Sequence, residues 1–284
     1  MKPASFVYVR PGSRSEIVAA LAEHGADGKV LAGGQSLVAA MNFRLARPGV
    51  IIDINRAGDL DYLRPSGDVL AIGALTRHAA FHKPPVEGPL GALLAKVVRH
   101  IAHYPIRQRG TFTGSLAHAD PASEWCLVAA TLGAEMVIAN NNGERTCPAA
   151  EFFRGTFTTA VGEQDLLAEV RLPMLGAGWR SGFHEFSRRA GDFALAMSLA
   201  ALKLENGVIT AARLGVGGVS DRAIRLSKLE QELVGKPPSK ALFQDVAASA
   251  QAGIRPTADI HGSSEYRSDL IRAVVGRALT EAAA

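Results

Sequence analysis

The stretch Val30 to Leu37, V-L-A-G-G-Q-S-L, constrains this chain more than any other. Two apolar residues end a strand, Gly33 and Gly34 leave the backbone bare, and Ser36 stands where a helix over 38–45 starts. Glycine admits left-handed backbone and lets a ligand approach the main chain. The unpaired amides and positive dipole end of a following helix favour negative charge, so the stretch reads as an anion site. By itself it identifies the ligand only as something carrying phosphates.

The flanking pattern places the turn in a small β-α-β-α-β unit with a parallel sheet. A strand over 6–9 is followed by Ser13-Arg14-Ser15-Glu16, a capping box that opens an amphipathic helix through Leu21, stopped at Gly25. Strands over 29–31 and 50–54 enclose the glycine turn and its helix. No G-x-G-x-x-G is present and no Walker lysine follows the glycines, so Rossmann and P-loop assignments fail at their defining residues.

A second glycine-bearing stretch, R-Q-R-G-T-F-T-G-S-L-A-H-A-D-P, occupies 107–121. Gly110 and Gly114 flank hydroxyls at Thr111, Thr113 and Ser115, which suits a loop that wraps a polar ligand with main-chain amides. Asp120-Pro121 then opens a helix over 122–132, with the aspartate as its cap. Asp120 acting as cap alone and as cap plus ligand contact stand equally open, and Glu124 one turn on faces ligand or water. Trp125 and Cys126 read as packing residues. Ahead of this stretch, a strand over 68–72 leads to Thr76, the expected cap of a short helix carrying His78 and His82, and 90–102 reads as a longer helix. His78/His82 and His100/His103 have the spacing of metal pairs, but no neighbouring cysteine or carboxylate completes a shell.

Farther on, 134–138 and 144–146 flank an Asn-Asn-Gly turn as a hairpin, and 165–172 is a strand ended by Pro173. The patternless segment 174–180 is the expected domain boundary. Strands follow over 181–188, 195–205 and 208–216, the last two joined by Asn206-Gly207, a hairpin signal. Helices over 224–234, 241–252 (capped by Ser239) and 265–284 complete the chain. The fold class is therefore α+β: residues 1–173 form a two-part domain, about 1–56 with the parallel sheet and 57–173 with a larger mixed or antiparallel one, and 178–284 form a domain of antiparallel strands packed with helices.

Composition excludes several functions. The chain has 284 residues with 31 basic and 27 acidic side chains, a formal charge of +4, and the basic residues gather into no tract, against nucleic-acid binding. Its longest apolar runs fall far short of the roughly 20 residues that span a bilayer. The amino terminus lacks a signal-peptide core, and two cysteines 21 positions apart build neither a disulfide framework nor a C-x-x-C site, so a cytoplasmic location is expected.

Ala-Gly-Gly-Gln-Ser at 32–36 and Thr-Phe-Thr-Gly-Ser-Leu-Ala-His-Ala-Asp-Pro at 111–121, with Arg-Arg-Ala-Gly-Asp-Phe at 188–193, together resemble the FAD-binding medium subunit of molybdenum hydroxylases, the group of carbon monoxide dehydrogenase and xanthine dehydrogenase. The resemblance covers nearly the whole chain. It implies that Leu31, Ala32, Gly33, Gly34, Gln35, Ser36 and Leu37 contact the FAD pyrophosphate, and that Thr111, Phe112, Thr113, Gly114 and Ser115 close over it. Ile101, Asp120, Glu124 and Leu166 would line the ribityl chain and ring, with Phe193 near the isoalloxazine where relatives often carry tyrosine.

Two departures stand out. Thr113 replaces a glycine of the usual Thr-Ile-Gly-Gly, so either φ there is negative or the loop is shifted. Glu185 stands where several relatives place a lysine that favours reduced, anionic flavin, which implies a flavin harder to reduce, offset by Arg188 and Arg189. The implied role is electron transfer within a complex, from iron–sulfur clusters on a small partner to an external acceptor, with molybdopterin on a large partner and the heterotrimer doubled by symmetry. The [2Fe-2S] clusters belong elsewhere because two cysteines cannot ligate them. The alternatives are a self-sufficient FAD-dependent reductase or oxidase, for which His118 is the one candidate base, and a non-catalytic nucleotide-binding module.

Overall fold

The computed structural model describes all residues 1–284. The amino-terminal unit comprises β1 (Val7–Val9), α1 (Arg14–His24), β2 (Gly28–Leu31), α2 (Leu37–Asn42) and β3 (Val50–Asp53), with all strands parallel in the order β1-β3-β2. At the start of α1 the Ser13 hydroxyl accepts from Glu16 N at 3.3 Å. The return bond of the box goes to Gly12 N at 2.7 Å and not to Ser13. Ile17 and Leu21, one turn apart, bury against Ile52 and Ile54.

α2 is shorter than expected. Leu45 N–H returns to the Ala40 carbonyl at 2.9 Å with Arg44 left-handed (φ 58°), a Schellman-type exit that ends the helix at Asn42. Ser36 precedes α2, but its side chain makes no capping bond.

The middle unit contains β4 (Leu63–Ser66), β5 (Val69–Gly73), α3 (Pro89–Val97), α4 (Tyr104–Arg109), α5 (Phe112–His118), α6 (Glu124–Leu132), β6 (Glu135–Asn140), β7 (Gly143–Pro148), α7 (Ala149–Phe152), β8 (Phe153–Gly155), β9 (Thr158–Thr159) and β10 (Leu166–Pro173). Its main sheet is antiparallel, in the order β4-β5-β10-β6-β7, and β8 and β9 pair separately. Thr76 does not cap a helix: its hydroxyl donates to the Tyr62 carbonyl at 2.6 Å, and a short 3-10 turn over His78–Phe81 follows Arg77. The helix expected over 90–102 stops at Val97, although Leu93, Leu94, Val97, Val98 and Ile101 are all buried; Ala102 at φ 42° turns the chain away.

The carboxyl-terminal unit contains β11 (Trp179–Phe186), β12 (Ala196–Glu205), β13 (Val208–Gly217), β14 (Ile224–Arg225), α8 (Ser227–Leu233), α9 (Lys240–Gly253) and α10 (Ser264–Ala283). The sheet is antiparallel in chain order, and α10 and α9 cover it. Asn206 (φ 51°) and Gly207 (φ 78°) are both left-handed, as a type I′ hairpin requires. Residues 224–225 were expected to be helical and instead pair with β13. Tertiary bonds override the local pattern there: Glu230 accepts from Arg225 at 2.9 and 2.8 Å and from Leu214 N at 2.9 Å.

The largest core cluster joins α3, α5, α6 and the middle sheet to Phe183, Met197, Leu199 and Ala201 of the carboxyl-terminal sheet. α6 therefore lies between two sheets, pressed so closely on β13 that a Cβ on Gly215 would lie 2.0 Å from Thr131 Oγ1. The Gly218 N–H donates to the Pro121 carbonyl at 2.9 Å, which places the turn ahead of α6 beside the end of β13. No helix is long and apolar enough to cross a membrane.

Candidate functional site

The two glycine-bearing stretches meet. A Cβ on Gly33 would lie 2.4 Å from the Arg109 carbonyl oxygen and 2.6 Å from Gly110 Cα, so only glycine allows the backbones to pass. Gly34 is left-handed (φ 72°). Between them opens a cleft of about 470 Å³ lined by Leu31, Ala32, Gly33, Gly34, Gln35, Asn55 and Arg109, among others. The main-chain N–H groups of Gly34, Gln35 and Ser36 find no acceptor within the chain and can serve an anion. Since α2 has only six residues, these local amides favour negative charge more than any long helix dipole does.

A polar tie holds the stretches in register. Asn55 Nδ2 donates to the Ala32 carbonyl at 2.9 Å, and Arg77 donates to both Asn55 Oδ1 and the Arg109 carbonyl, each at 2.5 Å. Asn55 is itself fixed because its backbone N–H donates to Asp53 Oδ1 at 2.9 Å, while Tyr8 holds the other oxygen of that carboxylate. These donors, with burial opposing them, keep the Asp53 carboxyl below the usual carboxylate range. Sequence reasoning missed Asp53, Asn55, Arg77 and Arg109. The available signal was Asp-x-Asn directly after a strand, a pattern that bonds its own backbone.

The second stretch is a helix and not a wrapping loop. Thr111 caps α5, its Oγ1 accepting from Gly114 N at 3.0 Å; a Cβ on Gly114 would lie 2.5 Å from that oxygen. Thr113 sits in the first turn with negative φ and donates to the Gly73 carbonyl at 3.3 Å, so a β-branched residue is accommodated without a shift. Phe112 is fully buried, with ring centroids 5.4 Å from Phe81 and 4.8 Å from Trp125; its side chain serves the core and not the cleft. Asp120 does not cap α6. It bonds Ala122 N at 2.9 Å in an Asx turn, and Ser123 Oγ provides the cap to Cys126 N at 3.4 Å.

Beyond α5, Ile101 is 8% exposed and Glu124 9% exposed. Phe193 is 73% exposed, on a turn whose Gly191 (φ 85°) packs so closely that a Cβ would lie 2.5 Å from the His103 ring. Leu166 is not brought to this group. Its side chain belongs to the core beneath α1, with Ile17, Leu21 and Ala168, while its neighbour Leu167 packs into the core on the other face of β10. His118 stacks on Phe157 with centroids 4.8 Å apart. His78 accepts from Trp125 Nε1 at 3.0 Å, and burial, then Arg107 and Arg77, push it down to about 4, a neutral core histidine.

A bare backbone cleft between a parallel unit and an antiparallel one, with free amides on one wall, defines a chain that holds a large phosphate-bearing cofactor. Family models for the FAD binding domain in molybdopterin dehydrogenase and for the CO dehydrogenase flavoprotein C-terminal domain match residues 4–175 and 181–282. The alpha subunit of the 6-hydroxypseudooxynicotine dehydrogenase complex of Paenarthrobacter nicotinovorans is 40% identical over 99% of this chain and 96% of its own. The carbon monoxide dehydrogenase medium chain of Hydrogenophaga pseudoflava is 33% identical, over 99% and 98% respectively. Among solved structures, carbon monoxide dehydrogenase from Hydrogenophaga pseudoflava superposes with a TM-score of 0.95 at 35% identity, covering 99% of this chain and 98% of that one. Quinoline 2-oxidoreductase from Pseudomonas putida 86 gives 0.93 at 36% identity over 100% and 98%. The chain belongs to the FAD-binding medium-subunit family of molybdenum hydroxylases.

It is an oxidoreductase subunit with FAD as its cofactor. The cleft fits that group: bare glycine backbone leaves room for a pyrophosphate, and the unpaired amides beside it supply donors. Arg77 sets how far apart the two walls stand, so Arg77→Met is expected to weaken FAD binding about 10-fold, the equivalent of ~1.4 kcal/mol. Arg77→Lys, with one donor centre instead of a fork, should recover part of the loss. Fluorescence titration of the FAD-free chain checks this, and equal affinity in all three proteins would rule the tie out as a determinant.

Proposed function

We propose that this chain is the FAD-carrying electron-transfer subunit of a cytoplasmic heterotrimer. A small partner would hold two [2Fe-2S] clusters and a large partner the molybdopterin, with the whole assembly doubled by symmetry. The observation that carries the reading is the contact of Gly33 with Arg109–Gly110, which makes one cradle from two distant stretches. Both cysteines, Cys126 and Cys147, are buried and single, so the chain has no ligand set for an iron–sulfur cluster and must receive electrons from another polypeptide.

FAD, when bound, accepts electrons one or two at a time and so joins one-electron carriers to a two-electron acceptor. The chain binds and orients it. Residues 31–37 would hold the pyrophosphate with their amides. Thr111 and Ser115 would flank it from α5, while Phe112, Thr113 and Gly114 shape that wall through backbone and core. Ile101, Asp120, Glu124 and Phe193 would border the ring. Residues 1–173 would act as the FAD-binding domain, in subdomains of about 1–56 and 57–173, and 178–284 as a carboxyl-terminal domain closing the ring end.

Reconstitution tests the cofactor assignment and co-purification tests the assembly. A yellow chain bleached by dithionite and recovered with an iron-containing and a molybdenum-containing partner is expected; full activity from an isolated chain free of both metals would defeat the subunit reading. Phe193→Ala is expected to leave FAD content and melting temperature within error, because the ring is mostly exposed. Its reoxidation rate by oxygen should change several-fold through altered cover of the flavin face. Unchanged stopped-flow traces would make Phe193 an ordinary surface residue.

A further inference from the structure

The cleft between the two glycine-bearing stretches opens into an apolar pocket. This pocket lies between α2 and the parallel sheet: Val38 and Met41 form its helix side, Tyr8 of β1 and Ile51 of β3 its sheet side, and Phe6 its rim. It measures about 100 Å³, and Leu31, Val38 and Asn42 line both it and the cleft. The two spaces therefore adjoin, one walled by bare backbone and polar side chains and the other by hydrocarbon.

Phe6 is 38% exposed, Val38 43% and Tyr8 52%, so the pocket keeps apolar surface in contact with water at its mouth, while Met41 and Ile51 are buried at its floor. Apolar cavities of this order take up one flat ring: a cavity of roughly 150 Å³ holds benzene. The pocket is a little smaller and open, which suits one ring of a flat base whose remainder rests on Val38. The Tyr8 hydroxyl is committed to Asp53, so Tyr8 offers a ligand only its ring. Asn42 is the one carboxamide in the lining, and a carboxamide pairs through a donor and an acceptor with an adenine edge.

The polar groups of the cleft suit the rest of such a ligand. The Gly33–Gly34 turn presents its backbone with no side chain in the way, and Arg109 lines the same cleft and adds a positive charge. Asp53 lines it too. A carboxylate repels phosphate and accepts from hydroxyls, so its neighbourhood suits a sugar. Asp53 bonds Tyr8 of the pocket on one side and pairs in register with Leu31, two residues ahead of Gly33, on the other. From pocket to turn, the order of surfaces is that of base, sugar and phosphates.

We propose that the FAD-free chain binds free purine nucleoside diphosphates, ADP above all, across this three-part site with the base in the apolar pocket, and that ADP thereby competes with FAD during loading. The inference rests on the FAD reading above and goes beyond it: surfaces that would hold one half of the dinucleotide recognise that half alone. Pyrophosphate by itself gains only the donors of the turn and Arg109, so base and sugar set the selectivity.

Isothermal titration of the FAD-free full-length chain with ADP and with inorganic pyrophosphate is the test. ADP is expected to bind at least about 10-fold more tightly than pyrophosphate, since only ADP buries a ring. It should also displace FAD in a fluorescence competition. Phe6→Ser combined with Val38→Asn, both at exposed positions, should bring ADP to within about 3-fold of pyrophosphate and leave pyrophosphate affinity unchanged. Val38→Asn alone, with a smaller effect in the same direction, covers the case in which the double variant melts early. Arg109→Gln should weaken both ligands alike. Equal affinity for ADP and pyrophosphate in a chain that binds FAD overturns this proposal alone, as does ADP that leaves FAD in place or binds the folded variants at wild-type strength. A cooperatively melting wild-type chain that binds neither FAD nor ADP overturns it together with the functional reading.

Discussion

Gly33→Val is expected to abolish retention of FAD, lowering its affinity roughly 100-fold or more, the equivalent of ~2.7 kcal/mol. The new side chain begins 2.4 Å from a backbone carbonyl, and neither partner is a flexible tip that swings away. The two walls must separate, and the amides of Gly34, Gln35 and Ser36 move with them. Overpacking of this kind costs about 1–3 kcal/mol of stability, so the apoprotein should melt earlier but still cooperatively. Equilibrium dialysis against FAD, beside a calorimetric scan of the FAD-free protein, separates loss of the site from loss of the fold. Wild-type FAD content in Gly33→Val would contradict the cradle. Gly114→Val should also lose FAD, for another reason: its side chain would collide with the Thr111 hydroxyl and undo the cap of α5.

Trp125→Ala has the largest expected effect on stability, a loss of about 3–5 kcal/mol. Trp125 is fully buried, its ring centroid lying 4.8 Å from Phe112 and 5.0 Å from Phe81, and its indole N–H is the donor to His78. Removing it opens a cavity beneath α5 and leaves the imidazole acceptor unpaired. Denaturant midpoints should fall accordingly, and FAD affinity should fall as well, since α5 forms one wall of the cleft. Trp125→Phe should cost only about 1 kcal/mol, mostly the lost hydrogen bond. If Trp125→Ala unfolds at the wild-type midpoint, the aromatic cluster is not what anchors the second wall.

Local pattern was enough for the parallel unit, the antiparallel hairpins and the carboxyl-terminal helices, because each rests on short-range physics. Ser13 and Ser239 cap the helices they precede, and Asn206-Gly207 adopts the left-handed pair that its hairpin demands. The errors came where a distant partner outweighed the neighbours. Thr76 reads as a cap but bonds the Tyr62 carbonyl, and 225 reads as helical but is claimed by Glu230 and β13. At 111–118 glycines and hydroxyls suggested a loop, yet Thr111 uses its hydroxyl to start a helix instead.

The glycine turns and their order along the chain were written in the sequence, and by themselves they implied a phosphate-bearing ligand; FAD followed only from the resemblance that the three motifs carry. Only the tertiary structure decided that Gly33 touches Gly110, that Asn55 and Arg77 join the two walls, and that Leu166 turns into the core. The reason is physical: backbone preference is set by residues a few positions apart, whereas burial, desolvation and hydrogen bonding across the cleft depend on groups tens of residues away that only the packed chain brings together.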